Sequence, residues 1–222
     1  MELTAKDFIE YYKEIVSMIE KEKDYLCELD RKLGDGDHGV TMSIGWQAID
    51  EKLEGELASE EDCGKINISV GKTFLSAVGS SVGPLYATGF LRGAKAVKNK
   101  SVVNDADLAA FWIAFAKGVK ERGQAEVGDK TMIDTLEPFF IKLEESFDAT
   151  ADFPSAFAEG VVAGEEGMKS TKDIVSKKGR SSRLGERSIG AQDPGATSAH
   201  LILKSFQNFI EVHAAKAEQA SL

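Results

Sequence analysis

From Phe8 onward the apolar residues of this chain return at helical spacing, and no segment sustains the alternation of a half-buried strand. Thr4, with Asp7 three residues on, opens the first helix, and Phe8, Ile9, Tyr12, Ile15, Val16 and Ile19 carry it to about Glu22. A short helical turn over 25–29 is expected next, then helices from Val40, from Ser59 with Asp62, and from Leu85 to about Lys98. Asp105 or Asp107 caps the following helix, which ends at Gly123. Another starts at Thr131, and Pro154 sits in the first turn of one reaching about Ser176. The last runs from about Ala196 to Ala217, after which the final residues fray. About eight amphipathic helices imply an all-α fold, a barrel or bundle of antiparallel up-and-down neighbours forming one domain over 1–222. Hydrophobic residues make up 42% of the chain, enough for a sizeable core, and Trp46 reads as core rather than as a stacking platform.

Chemistry concentrates in the connection Leu29 to Met42, LDRKLGDGDHGVTM. It places Asp30, Asp35 and Asp37 within eight residues, loosened by Gly34, Gly36 and Gly39. A helix cannot bring residues two apart to one face, but a glycine-rich loop can fold back on itself. Converging carboxylates repel unless a cation sits among them, and oxygen-only donors suit Mg²⁺ or Ca²⁺. A solvated acidic turn capping two helices is the plain alternative, and these residues alone leave it open. Gly34 to Gly39 spells a dinucleotide fingerprint, but no strand precedes it and its acids repel a pyrophosphate that arrives without metal. An EF-hand fails on the position of its glycine and on the missing twelfth-position Glu. Gly71-Lys72-Thr73 is no P-loop, because Ile66 stands where the first glycine belongs.

Composition narrows the partners. A net charge of −10 argues against nucleic acid or an anionic membrane, so phosphates must be held through metal ions and local basic groups. No apolar run approaches a membrane span, and MELTAKDF is no signal peptide. Cys27 and Cys63 show no metal-site spacing, which suits a reduced, cytoplasmic protein.

Alternate loops of an up-and-down bundle share an end. The acidic loop, the Gly/Ser turn over 79–84, the link over 123–131 and the loop over 177–195 therefore meet. The turn offers backbone N–H groups to an anion, unless it is a plain helix connection. The last loop carries Lys177, Lys178, Arg180, Arg183 and Arg187 against Glu186. Metal, N–H donors and arginine forks together suit a nucleotide di- or triphosphate and phosphoryl transfer. Of three histidines, His200 and His213 read as satisfied or exposed. His38 either positions a ligand or supports the metal loop.

Four blocks in order, LDRKLGDGDHGVTM, SAVGSSVGPLYATGFLRGA, GDKTMIDTLEP and KGRSSRLGERSIGAQDPGATS, resemble the nucleotide-binding L subunit of bacterial dihydroxyacetone kinases. They equally resemble the C-terminal domain of the single-chain ATP-dependent relatives. The resemblance covers nearly the whole chain and implies an eight-helix barrel with nucleotide at one end. It implies that Asp30, Asp35 and Asp37 hold two Mg²⁺ ions. His38, Gly39, Val40, Thr41, Ser80, Ser81, Val82, Gly83, Gly123, Met132, Arg180, Asp193, Pro194 and Gly195 match nucleotide-contacting positions. Arg180 and His38 match catalytic ones. Val82 departs from the family turn by removing one hydroxyl, for which Ser81 or the backbone substitutes. In phosphotransferase-linked members ADP stays bound, with ATP as its phosphorylated form, between a phosphohistidine donor protein and dihydroxyacetone on a separate K subunit. A chain of this length without a substrate domain fits that arrangement better than the fused kinase. A nucleotide-state sensor acting on a transcription regulator is a further role the resemblance implies.

Overall fold

Thr4 starts the first helix as expected, through a reciprocal capping box: its hydroxyl accepts from Asp7 N, and the Asp7 carboxylate accepts from Thr4 N. In the computed structural model, which describes residues 1–220, this helix is α1 (Ala5–Arg31), preceded by β1 (Glu2–Thr4). The expected break after Glu22 does not occur. No glycine or proline interrupts 5–31, and the Glu- and Lys-rich stretch between the apolar segments is itself a good helix former. The helices α2 (His38–Glu54), α3 (Cys63–Ala77) and α4 (Val82–Gly93) follow, then β2 (Val102–Asn104), α5 (Asp105–Gly123), α6 (Ile133–Thr150), α7 (Phe153–Ser170) and α8 (Pro194–Ala220). α8 continues to Ala220, past its expected end at about Ala217, and the rest of the expectation that the last residues fray concerns positions outside the described ones.

The structure corrects several boundaries. Asp62 alone caps α3, accepting from Gly64 N and Lys65 N, so Ser59 lies outside it. Asn104, rather than Asp105 or Asp107, caps α5, with Asp107 completing the box from its third position. α4 begins three residues earlier than expected and gives way to turns after Gly93. α7 ends at Ser170, short of the expected Ser176, giving way to a 3-10 turn, Thr171–Asp173, and a second 3-10 segment, Arg180–Ser188, partly orders the loop that follows. α8 starts at Pro194, whose fixed φ and missing N–H suit a first helical residue. The two strands pair antiparallel, Leu3 opposite Val103, with both side chains fully buried. At three residues each they are too short to show as alternation.

Each helix packs on the next, and α8 returns to α1, closing the ring. The interior is aromatic. Trp112 meets Tyr11, Phe115, Phe139, Phe157 and Phe206 at centroid separations between 4.9 and 6.5 Å. Trp46 packs edge-on against Phe74 and Phe90, so it is core. Among the described residues no helix is long and apolar enough to cross a membrane. This packing presents the starts of α2, α4, α6 and α8 at one end of the barrel.

Candidate functional site

Asp30, in the last turn of α1, folds the acidic loop back on itself. Its Oδ2 accepts from Asp37 N at 2.9 Å and from His38 N at 3.2 Å, and Gly36 turns the chain at φ +80°. Asp30, Asp35 and Asp37 each then offer an oxygen within 4.8 Å of the others. Arg180, from the 3-10 segment before α8, pairs through Nη1 with Asp35 Oδ2. The three acids, Thr41, Ser80 and Arg180 line a compartment of about 130 Å³. Ser80 Oγ is buried there without a protein partner. Three hard oxygen donors around one point, with a buried unpaired hydroxyl beside them, fit a divalent cation carrying an anionic ligand.

His38, Ser81 and Val82 also wall a second, larger cavity of about 470 Å³. Leu85, Met132 and Ile133 give it apolar surface, Gly123 and Gly195 leave backbone accessible, and Arg122 and Lys178 add two cations. An acidic compartment opening beside a mostly apolar one can take a ligand with a charged end and a flat, apolar end. All four loops expected to share an end contribute walls.

Helix termini add to the field. α2, α4 and α6 begin at Asp37, Ser81 and Met132 with no hydrogen bond from the cap residue's own side chain. Asp30 Oδ2 takes the His38 N–H and Thr131 Oγ1 the Ile133 N–H, so the donors left towards this end are those of α2 after His38 and of α4 at Val82. At α8 Asp193 is the cap, its Oδ2 accepting from Ala196 N at 2.8 Å. Burial pushes the Asp193 carboxyl up to about 7, against that hydrogen bond. His38 is buried, and its Nε2 meets Ser198 Oγ at 2.9 Å, which in turn meets Tyr86 Oη at 2.8 Å. Burial lowers the His38 pKa to about 4 despite Asp30 nearby, leaving a neutral ring fixed in orientation.

Three expected positions reach neither compartment. Gly39 serves packing, since a Cβ there would lie 1.9 Å from Lys23 O on α1. Gly83 lies against Val78 O in the same manner, at 2.3 Å. Val40 is exposed on α2. Every other expected site residue lines one compartment or the other. Sequence reading missed the Tyr86–Ser198 pair that holds His38, since a tyrosine and a serine 112 residues apart carry no local signal. It also missed Lys130, buried beside the cavity wall, whose signal was a lysine at a loop end two residues before apolar Met132. His213 Nδ1 lies 3.5 Å from Asp7, whereas His200, expected to be satisfied or exposed, is half-buried with its Nδ1 lacking a partner.

Comparison with known proteins agrees with this architecture. A Listeria innocua protein named PEP-dependent dihydroxyacetone kinase 2, ADP-binding subunit DhaL, is 39% identical over 187 residues, covering 84% of this chain and 86% of its own. The Escherichia coli ADP-binding subunit DhaL of PEP-dependent dihydroxyacetone kinase is 37% identical over 204 residues, covering 92% and 96%. Among solved structures, the dihydroxyacetone kinase of C. freundii in complex with AMP-PNP and Mg²⁺ matches with a TM-score of 0.69 at 22% identity. That match covers 90% of this chain and 33% of the kinase, so the chain spans about a third of that protein and shares its fold over the span. The DAK2 domain model matches residues 32–208, and the chain belongs to the DAK2 domain family.

Proposed function

We propose that the chain is the ADP-binding subunit of a dihydroxyacetone kinase, a phosphotransferase, with residues 1–222 acting as a single L-type domain. Phosphate from a phosphohistidine donor protein is carried on tightly held ADP–Mg to dihydroxyacetone bound on a separate K subunit, in a cytoplasmic setting. The observation that carries this reading is the pairing of a three-carboxylate compartment with an adjoining apolar cavity, in a chain 37–39% identical to proteins named for binding ADP. Relatives named as kinases of which this chain covers about a third, such as dihydroxyacetone kinase 1 of Saccharomyces cerevisiae, stand at 32% or below.

Asp30, Asp35 and Asp37 would hold two Mg²⁺ ions, which when bound offset charge on the phosphoryl group. Arg180, together with the free N–H groups at the starts of α2 and α4, would grip phosphate oxygens. Ser80 and Ser81 would face the same oxygens, and Thr41 lines the compartment beside the acids. Leu85, Met132 and the backbone at Gly123 would enclose the nucleoside, with Asp193, Pro194 and Gly195 closing the wall. The fixed, neutral His38 ring would orient the ligand rather than exchange a proton. A transcription regulator reading the nucleotide state would meet this same end.

Denaturing the purified protein and measuring released nucleotide tests the proposal. About one ADP per chain is expected. An empty protein that binds ATP reversibly would favour the free ATP-dependent kinase domain instead. Mixing with K subunit, phosphodonor protein and dihydroxyacetone should yield sugar phosphate, whereas a pure nucleotide sensor would yield none.

A further inference from the structure

Arg180 rides on a loop whose two feet meet at one buried ammonium. Lys130 is 1% exposed, and its Nζ donates to Thr171 O at 2.5 Å, Ser188 O at 2.7 Å and Ile174 O at 3.2 Å. An ammonium has three N–H groups, and here three carbonyls receive them. Thr171 and Ile174 stand where the loop leaves α7, and Ser188 stands where it returns. Gly190 N to Lys172 O at 2.7 Å and Ser176 N to Ser188 Oγ at 2.9 Å tie the same feet together.

The backbone at Lys130 points to the same role. Its φ of 63° lies in the left-handed region, where a residue with a Cβ is disfavoured and glycine is not. A lysine held there contributes its side chain. Burial lowers its pKa, and Asp193, Asp134 and Asp173 oppose that shift, so the site compensates the charge it encloses. On its other side Lys130 belongs to the link before α6, where Asp134 accepts from Gly128 N and Thr131 N and where Thr131 and Met132 wall the larger cavity. One residue therefore joins the cavity wall to the arm that carries Arg180.

We propose that Lys130 is a positioning residue: its ammonium pins both feet of the 171–188 loop and so holds Arg180 over the acidic compartment. The proposal deepens the reading that Arg180 grips phosphate and rests on it. Without the pin, the loop regains conformational freedom while the helices around it keep their own packing.

The test is a double-mutant cycle with a separate readout of the loop. Lys130→Met should leave helical circular dichroism unchanged, while trypsin cuts after Arg180, Arg183 or Arg187 about tenfold faster than in the native protein. ADP should bind about tenfold more weakly, but by less than about twofold when Arg180→Ala is already present, because the two act through one contact. Lys130→Gly, which suits the left-handed backbone, should show the same losses. An unchanged cutting rate, or an equal loss of ADP affinity in the Arg180→Ala background, would overturn the proposal. A protein that binds no ADP at all would sink the functional reading, leaving the cutting rate to decide the pin. Should both Lys130 variants fail to fold, the native protein decides by ¹⁵N spectroscopy. One slowly exchanging lysine ammonium signal is expected, and its absence would count against the pin.

Discussion

Where α1, α3, α5 and α7 begin, Thr4, Asp62, Asn104 and Asp152 each accept hydrogen bonds from their own helix's first turn. Where α2, α4 and α6 begin, at the opposite end, the cap residue's own side chain makes no such bond, Asp30 and Thr131 taking one N–H each at α2 and α6, and only at α8 does the cap residue, Asp193, accept one. The starts of α2 and α4 keep N–H donors for a ligand, a deficit of about 1 kcal/mol for each missing cap. The first end also holds the β1–β2 ribbon and the ion pair between the Met1 amine and Asp105. The second gathers three carboxylates, a buried unpaired serine hydroxyl and the two compartments. The barrel thus stabilises its helices at one end and leaves donors and charges unsatisfied for a ligand at the other.

The largest effect should come from removing a carboxylate. Asp35→Asn or Asp37→Asn should weaken Mg²⁺ and then ADP binding by on the order of a hundredfold, with helical content unchanged. Calorimetric titration checks this, and a variant retaining ADP at native occupancy breaks the assignment of that end. Arg180→Ala should follow, cutting the phosphotransfer rate by roughly a hundredfold with little change in melting temperature. Matching losses in rate and melting would mark Arg180 as structural.

A smaller effect concerns pH. The folded-state pKa of Asp193, about 7, exceeds an ordinary carboxyl's value, so the folded protein holds this proton more tightly than the unfolded chain. Stability from this group is therefore greatest at low pH and falls as pH rises from about 4 to about 7. Asp193→Asn keeps an oxygen for Ala196 N and removes the titration. The variant's melting temperature should gain on the native one across that window, by a difference of up to a few kcal/mol in stability. A constant difference at every pH would refute the linkage. The smallest effect belongs to the capped end. Thr4→Ala and Asn104→Ala should each cost about 1 kcal/mol, or roughly 2–4 °C in melting, and leave ADP affinity untouched. A cap variant that changed nucleotide binding would show that the ends are coupled.

Much of this contrast was legible residue by residue. Thr4 with Asp7 announces its helix because a capping box is written in four consecutive positions. The acidic loop announces itself because its three carboxylates lie within one short segment and no helix could serve them. Gly39 reads two ways, because close approach between helices and backbone contact with a ligand ask for the same residue, and the Lys23 carbonyl beside it shows the packing demand that spacing alone did not. Asn104 was passed over because its more acidic neighbours fit the same capping rule.

The amino-acid order by itself determined the helical periodicity, the number of helices, the acidic loop and, through their alternation, which connections could share an end. Those are properties of spacing, and spacing is local. Only the tertiary structure decided that Ser198 and Tyr86 hold His38, that Arg180 meets Asp35, and that one buried ammonium joins Thr171 to Ser188. Such contacts depend on how α2, α4, α6, α7 and α8 pack against one another. Their partners are mostly backbone atoms or small hydroxyls, which look alike wherever they fall in a sequence.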